Sequence, residues 1–279
     1  IELYDYIVFL LCQKKDYEAV KQYLNKAKLF ADKCKDDYVW GIYYDMLGVF
    51  YDALLGGAYY STENEEQQFV KQMLYADNLS IKHMGKSKHE KAKGLYTKFV
   101  IGKANLLIRS MPERQKEIKK LIQSTTDMVE KNTLNYSEVR TSYYLAWAWY
   151  YTLCEENKNA VLDNLKKASE ANEKRNISDL DRIDYFFIPA ANMMLELADI
   201  GKTVNWLEEA YNLCELHKGE LPYIRKKLDL LSYEFDTYHC QGKYDNCKQV
   251  LGRVVAVNQE ADEYNITLEV PKEILKALQ

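Results

Sequence analysis

Tyr143-Tyr-Leu-Ala-Trp-Ala-Trp-Tyr-Tyr151 lies near the middle of the 279-residue chain, and its reading decides the fold. No Gly or Pro interrupts the run from Tyr136 to Asn157, which predicts a helix of several turns. Wound at about 3.6 residues per turn, this helix carries two stripes. Ser142, Leu145, Ala146 and Trp149 fall on one face; Arg140, Tyr143, Trp147 and Tyr150 fall on the next face round. A surface helix normally carries a single apolar stripe. Two stripes require neighbours on both sides, or one neighbour and one lined groove.

Outward from that helix, capping and proline signals set the remaining boundaries. Thr62-x-x-Glu65, Ser87-x-x-Glu90, Ser110-x-x-Glu113 and, with Asn replacing Ser or Thr, Asn135-x-x-Glu138 have the form of capping boxes, in which side chains satisfy orphan backbone donors. Pro112, Pro222 and Pro271 stand where a first helical turn tolerates proline. Pro189 follows apolar Tyr185-Phe-Phe-Ile188 and predicts a kink in a long helix or a helix starting there. The expected helices are Glu2–Gln13, Tyr17–Cys34, Tyr38–Leu55, Asn64–Met84, Ser87–Arg109, Pro112–Lys131 and Tyr136–Glu155. Lys158–Lys174, Leu180–Ala198, Lys202–His217, Pro222–Cys240 and Tyr244–Glu263 follow, and Pro271–Leu278 is a short capping helix. Short connections make sequence neighbours spatial neighbours, so about six antiparallel helix pairs stack as a solenoid.

The pairs carry a fingerprint. Tyr44-x-x-Leu47-Gly48-x-x-Tyr51 resembles the first half of a tetratricopeptide repeat, with Tyr for the usual Trp. Gly242-x-Tyr244-x-x-Cys247-x-x-x-Leu251-x-x-Val254 resembles the second half, with Cys for Ala and Leu for Phe. Lys15-Asp16-Tyr17-x-Ala19-x-x-x-Tyr23 is a third match, and Ser142-x-x-Leu145-Ala146-x-x-Trp149 a looser fourth. In this pattern a small residue lets paired helices approach while large ones fill the space around it. Three departures stand beside it. Equivalent helices recur at about 40 to 55 residues against roughly 34 in a standard repeat, the repeat's final Pro is absent, and the loop at 56–66 is long. The resemblance implies an all-α, right-handed superhelix, similar to the repeat-built sensor halves of bacterial signalling proteins.

Composition narrows the function. With 47% hydrophobic and 29% charged residues, only 4 Pro and 11 Gly, the chain reads as a soluble all-α protein. A net charge of −4 gives no electrostatic footprint for nucleic acid or an anionic membrane. The six cysteines form no C-x-x-C pair, which excludes the common zinc and redox motifs. With no signal peptide and no long apolar run, a cytoplasmic location is expected. The first residue is Ile1 rather than Met, so residues 1–279 are expected to be one repeat domain within a longer chain that has an upstream domain. His83, His89, His217 and His239 are scattered, and no phosphate-binding loop or nucleophile motif is present. Neither an enzyme nor a cofactor or metal site is expected.

Two functions compete. The first is a binding module whose first helices line a concave groove for a peptide or protein ligand. Carried onto this sequence, the groove stripe takes in Asp45, Val49 and Asp52, then Phe99 and Lys103, then Arg140, Tyr143, Trp147 and Tyr150. It continues through Asp229, Ser232, Asp236 and His239, with Asn105 and Asn192 as candidates for bonds to a peptide backbone. Mixed aromatic and charged residues suit an extended peptide or a partner's helix. The second is a spacer or oligomerisation platform for an upstream effector, for which a homodimer is the simplest state. RNA binding would need a basic face with repeated base-reading positions, and neither is evident.

Overall fold

The computed structural model describes residues 1–56, 62–131 and 137–266. Among them the chain forms fourteen α-helices and no strand. They are α1 (Glu2–Gln13), α2 (Tyr17–Cys34), α3 (Asp37–Gly56), α4 (Glu63–Lys86), α5 (Ala92–Ser110), α6 (Gln115–Ser124) and α7 (Thr126–Lys131). Then come α8 (Ser137–Leu153), α9 (Lys158–Glu173), α10 (Asp179–Arg182), α11 (Ile188–Glu196), α12 (Ile200–Glu215), α13 (Leu221–His239) and α14 (Tyr244–Glu263). The chain divides into two compact units, Ile1–Ala146 and Trp147–Gln279, with the boundary inside α8.

Local chemistry sets these boundaries. Before α4 the capping box is complete: Thr62 Oγ1 accepts from the Glu65 amide at 3.3 Å, and the Glu65 carboxylate accepts from the Thr62 amide at 3.2 Å. Asp16, Asn157, Ser178 and Asp199 cap α2, α9, α10 and α12 with a side-chain oxygen. The other expected boxes differ. Ser87 ends α4, and α5 starts only at Ala92. Ser110 caps nothing, because a 3-10 turn at Pro112–Arg114 precedes α6 without a side-chain cap. The expected helix Pro112–Lys131 is further divided at Thr125, whose hydroxyl donates to the Ile122 carbonyl at 2.8 Å and competes with the helical ladder. The Asn135 signal and the capping helix Pro271–Leu278 lie outside the described residues.

Pro189 stands in the first turn of α11, after a π turn at Ile183–Phe187 that continues from α10. The wider turn changes the hydrogen-bond register just where proline withholds an amide. Asp179–Glu196 is thus one helical stretch with a π bulge.

In unit 1, α3 and α4 run antiparallel. Gly41 meets Met84, Gly48 meets Asp77 and Ala76, and Tyr51 meets Phe69. The tightest approach is at Gly41, where a Cβ would stand 2.6 Å from Met84 Cε. A Cβ at Gly48, the fingerprint glycine, would make an ordinary 3.5 Å contact with Asp77. The core includes Val8, Val20, Ile42, Met46, Phe50, Met84 and Phe99.

In unit 2, α13 packs on α14 around Ile224, Leu228, Leu231, Phe235, Val250, Val254 and Val257. Gly219, between α12 and α13, has φ +78° and a Tyr264 ring carbon 2.5 Å from where its Cβ would stand. Only glycine fits both demands.

Candidate functional site

Within each unit, first helices of successive pairs run parallel, and side chains one repeat apart meet across them. In unit 1 the Tyr38 hydroxyl on α3 donates to Glu2 on α1 at 2.6 Å. Further along, the charge of Asp5 acts on Asp45, and that of Asp52 acts on the Cys12 thiol. Between α3 and α5, Lys98 acts on Asp45, and Arg109 stands 3.8 Å from Asp52. Both series ascend together, so α1, α3 and α5 are parallel. Unit 2 repeats the pattern: Lys226 reaches Asp184, 42 residues earlier, and the Tyr233 hydroxyl donates to Asn192, 41 residues earlier, so α11 and α13 are parallel as well.

On the α1–α3–α5 layer the charges are incompletely matched. Burial, with the neighbouring charge of Asp5, pushes the Asp45 carboxyl up to about 7 against the opposing pull of Lys98. Burial likewise pushes Asp77, on α4, up to about 7, while Lys103 pulls it down and Asp52 adds to the rise. Asp5 is raised by burial as well. Neither Asp45 nor Asp77 has a hydrogen bond or ion pair to another described side chain, yet both keep part of their surface open. Both are crowded by protein but still reached by solvent. Lys103 is tied to Glu117 on α6 at 3.3 Å.

The expected site residues divide accordingly. Asp45, Asp52 and Lys103 come together in unit 1, joined by Asp5, Asp77, Lys98 and Arg109. Arg140 turns to the backbone, its Nε donating to the Val129 carbonyl at 3.1 Å. Tyr143 and Tyr150 belong to the interior rather than to a groove. They are 4% and 2% exposed, and their hydroxyls meet Thr126 Oγ1 at 2.8 Å and Glu155 Oε1 at 2.7 Å. The reason is that α8 is enclosed all round, with no exposed residue from Val139 to Cys154. Trp147 is half-buried, stacked on Tyr151 and edge-on to Tyr150. Phe99 is core, at 5% exposure. In unit 2, Asn192 accepts from Tyr233, and Asp236 is exposed one turn beyond Tyr233.

Sequence reasoning missed Asp5, Lys98 and Asp77. Lys98 was legible in principle, since it shares a helical face with Gly102 and Asn105. Asp77 was not: it comes from the second helix of its pair and reaches the layer beside Gly48.

Unit 2 also holds a closed ionic network between α12, α13 and α14. Lys227 is fully buried between Glu215 at 2.6 Å and Glu260 at 2.7 Å. Arg253 meets Glu234 at 2.7 Å and Glu208 at 3.8 Å, and lies over the Tyr211 ring. Among the described residues no three His, Cys, Asp or Glu side chains are grouped to hold a metal ion, and no helix is long and apolar enough to cross a membrane.

No family model matches the sequence, and no curated protein matches it. Among solved structures the chain is similar to a Rap protein complexed with competence and sporulation factor, at 13% identity and a TM-score of 0.47 over 94% of this chain and 77% of that one. It is also similar to a circular tandem repeat protein with novel repeat topology and enhanced subunit contact surfaces, at 12% identity and a TM-score of 0.40 over 94% and 71%. From its own inter-helix contacts, the described part of the chain is an all-α array of helices in which, inside unit 1, α1, α3 and α5 meet about one repeat apart and, inside unit 2, the helical stretch Asp179–Glu196 meets α13 in the same way.

Proposed function

We propose that the chain is a non-catalytic binding module that takes a peptide, or an extended segment of a protein partner, along the α1–α3–α5 layer of unit 1. One observation carries this reading. Asp45 and Asp77 are crowded by protein, open to solvent and free of ion pairs among the described residues. Leaving two carboxylates in that condition costs stability, and a ligand supplying donors or positive charge would recover it. Asn105, on the Lys98 face of α5, has a side-chain oxygen without a hydrogen-bond partner, an amide suited to a peptide backbone. The tetratricopeptide-like build fits the regulatory region of a cytoplasmic bacterial signalling protein, with the ligand's charge pattern read by Asp45, Asp52, Asp77, Lys98 and Lys103.

An array of peptides five to ten residues long, varied in net charge, tests the reading by fluorescence anisotropy. A related set of sequences should bind with one-to-one stoichiometry. Asp45→Asn and Asp77→Asn should weaken that binding at least about tenfold while the melting temperature holds or rises. Binding that ignores both substitutions, or no sequence-selective binding at all, would overturn the assignment and favour a spacer or oligomerisation platform.

A further inference from the structure

His217 closes the last turn after α12, where three elements meet. Its Nε2 stands 3.0 Å from Asp179 Oδ2 on α10, and its Nδ1 stands 3.1 Å from Glu220 Oε1 at the start of α13. The ring lies flat on Tyr223, with centroids 3.9 Å apart and planes 9° from parallel. Tyr223 itself is buried. A protonated imidazole donates from both nitrogens, so it satisfies both carboxylates at once. A neutral imidazole has one N–H and one lone pair, and the lone pair would face a carboxylate. The two states therefore hold α10 differently.

We infer that His217 is a proton-operated latch that fastens α10 to the α12–α13 junction when protonated and releases one of the two carboxylates when it loses its proton. The groups around the ring agree. From α10 it meets Asp179, which is steadied on its other oxygen by Arg182 at 3.2 Å. From α13 it meets Glu220 and Tyr223. On its own side, Glu215 is committed to Lys227, and burial pushes the Cys214 thiol up to about 12, so it stays protonated. The hydrogen bonds to Asp179 and Glu220 raise the imidazole above its ordinary value. A raised folded pKa means that the latch is fully closed below the ordinary imidazole range and opens as pH rises through the raised one. The released segment begins the helical stretch that carries Asp184 and Asn192 to α13. Proton release is thereby coupled to the order of a first helix in unit 2.

Imidazole NMR and amide hydrogen exchange on the same samples, between pH 5.5 and 9, test the latch. His217 should titrate above the ordinary imidazole value, and Asp179→Asn and Glu220→Gln should each lower its midpoint. Protection of the Leu180–Phe187 amides, measured relative to α14 amides, should fall on the order of tenfold across that same midpoint. His217→Gln should remove the pH dependence. His217→Phe keeps a ring on Tyr223 and serves if the Gln variant unfolds; it should retain some protection with no pH dependence. The latch is overturned if protection does not follow the His217 titration, or if either His217 variant keeps the wild-type pH profile.

Discussion

The two units treat buried charge in opposite ways. In unit 2, Lys227 sits at 0% side-chain exposure between two glutamates, and Arg253 answers Glu234 and Glu208. Every member of that network has a counter-charge on a neighbouring helix, so it locks α12, α13 and α14 in register. In unit 1, Asp45 and Asp77 are enclosed by protein without an ion pair among the described residues, and burial pushes both up to about 7. Paired charge works as cement, whereas half-buried charge without a counter-charge favours the protonated form. The paired charges of α12, α13 and α14 hold unit 2 together, whereas the proposed recognition would use the unpaired carboxylates of α3 and α4 in unit 1.

The harshest test removes Lys227. Lys227→Met leaves Glu215 and Glu260 facing each other without a cation, and breaking a buried pair from one side costs about 3–5 kcal/mol. The urea midpoint should fall accordingly, and adding Glu215→Gln and Glu260→Gln should recover most of the loss. A loss below about 1 kcal/mol, well short of the buried-pair cost, would show that the network is not what secures unit 2. Next in size is Gly219→Ala, which forces a Cβ onto the Tyr264 ring at a positive φ beside the Glu260 contact. It should cost about 1–3 kcal/mol, read by the same titration. A neutral outcome would mean that the α12–α13 turn yields freely.

In unit 1 the expected sign reverses. For a carboxyl raised from 3.8 to about 7, folding takes up protons between those values. The associated stability is therefore full below the ordinary carboxylate range and is lost as pH rises through about 7. Asp45→Asn and Asp77→Asn should each stabilise the protein at pH 8 by about 1–2 kcal/mol, less than full linkage because both groups keep contact with solvent. They should also flatten the decline between pH 5 and 8. Destabilisation by both substitutions at pH 8 would show that these carboxylates are already satisfied.

How legible this was depended on the range of the interaction. Glu2–Gln13 and Tyr17–Cys34 were readable to the residue, and Thr62–Glu65 was readable as a closed box, because each rests on neighbours within a turn. Ser87-x-x-Glu90 has the same letters but follows α4 directly, and the chain spends five residues turning before α5. A local motif does not encode where the previous helix stops. Periodicity separated the two stripes of α8 but could not say which faced protein, and Tyr143 and Tyr150 are core because both sides are covered. A feature that pattern reading passed over is the repeated Trp-x-x-Tyr-Tyr. Trp40 lies 86° to Tyr43 and 26° to Tyr44, while Trp147 lies 88° to Tyr150 and 22° to Tyr151. Helical spacing alone reproduces that geometry. Asp45 and Asp52 were found by period; Asp77 needed the tertiary contact at Gly48.

The smallest expected effect is at Asp52, and it sharpens the comparison most. Asp52 and Arg109 stand 3.8 Å apart, with side chains 58% and 63% exposed, so solvent screens the pair, which contributes about 0–1 kcal/mol. Asp52→Ala should leave the denaturant midpoint nearly unchanged. It also removes one negative charge acting on Asp77, so the Asp77 carboxyl should titrate slightly lower in carbon-detected NMR. Between α3 and α5, the Asp52–Arg109 pair spans the same two helices as Asp45 and Lys98. If a peptide lies along that layer, losing Asp52 should weaken its binding far more than it weakens the fold. A variant that loses stability and binding in equal measure would place Asp52 among the structural charges and erase the contrast between the units at that position.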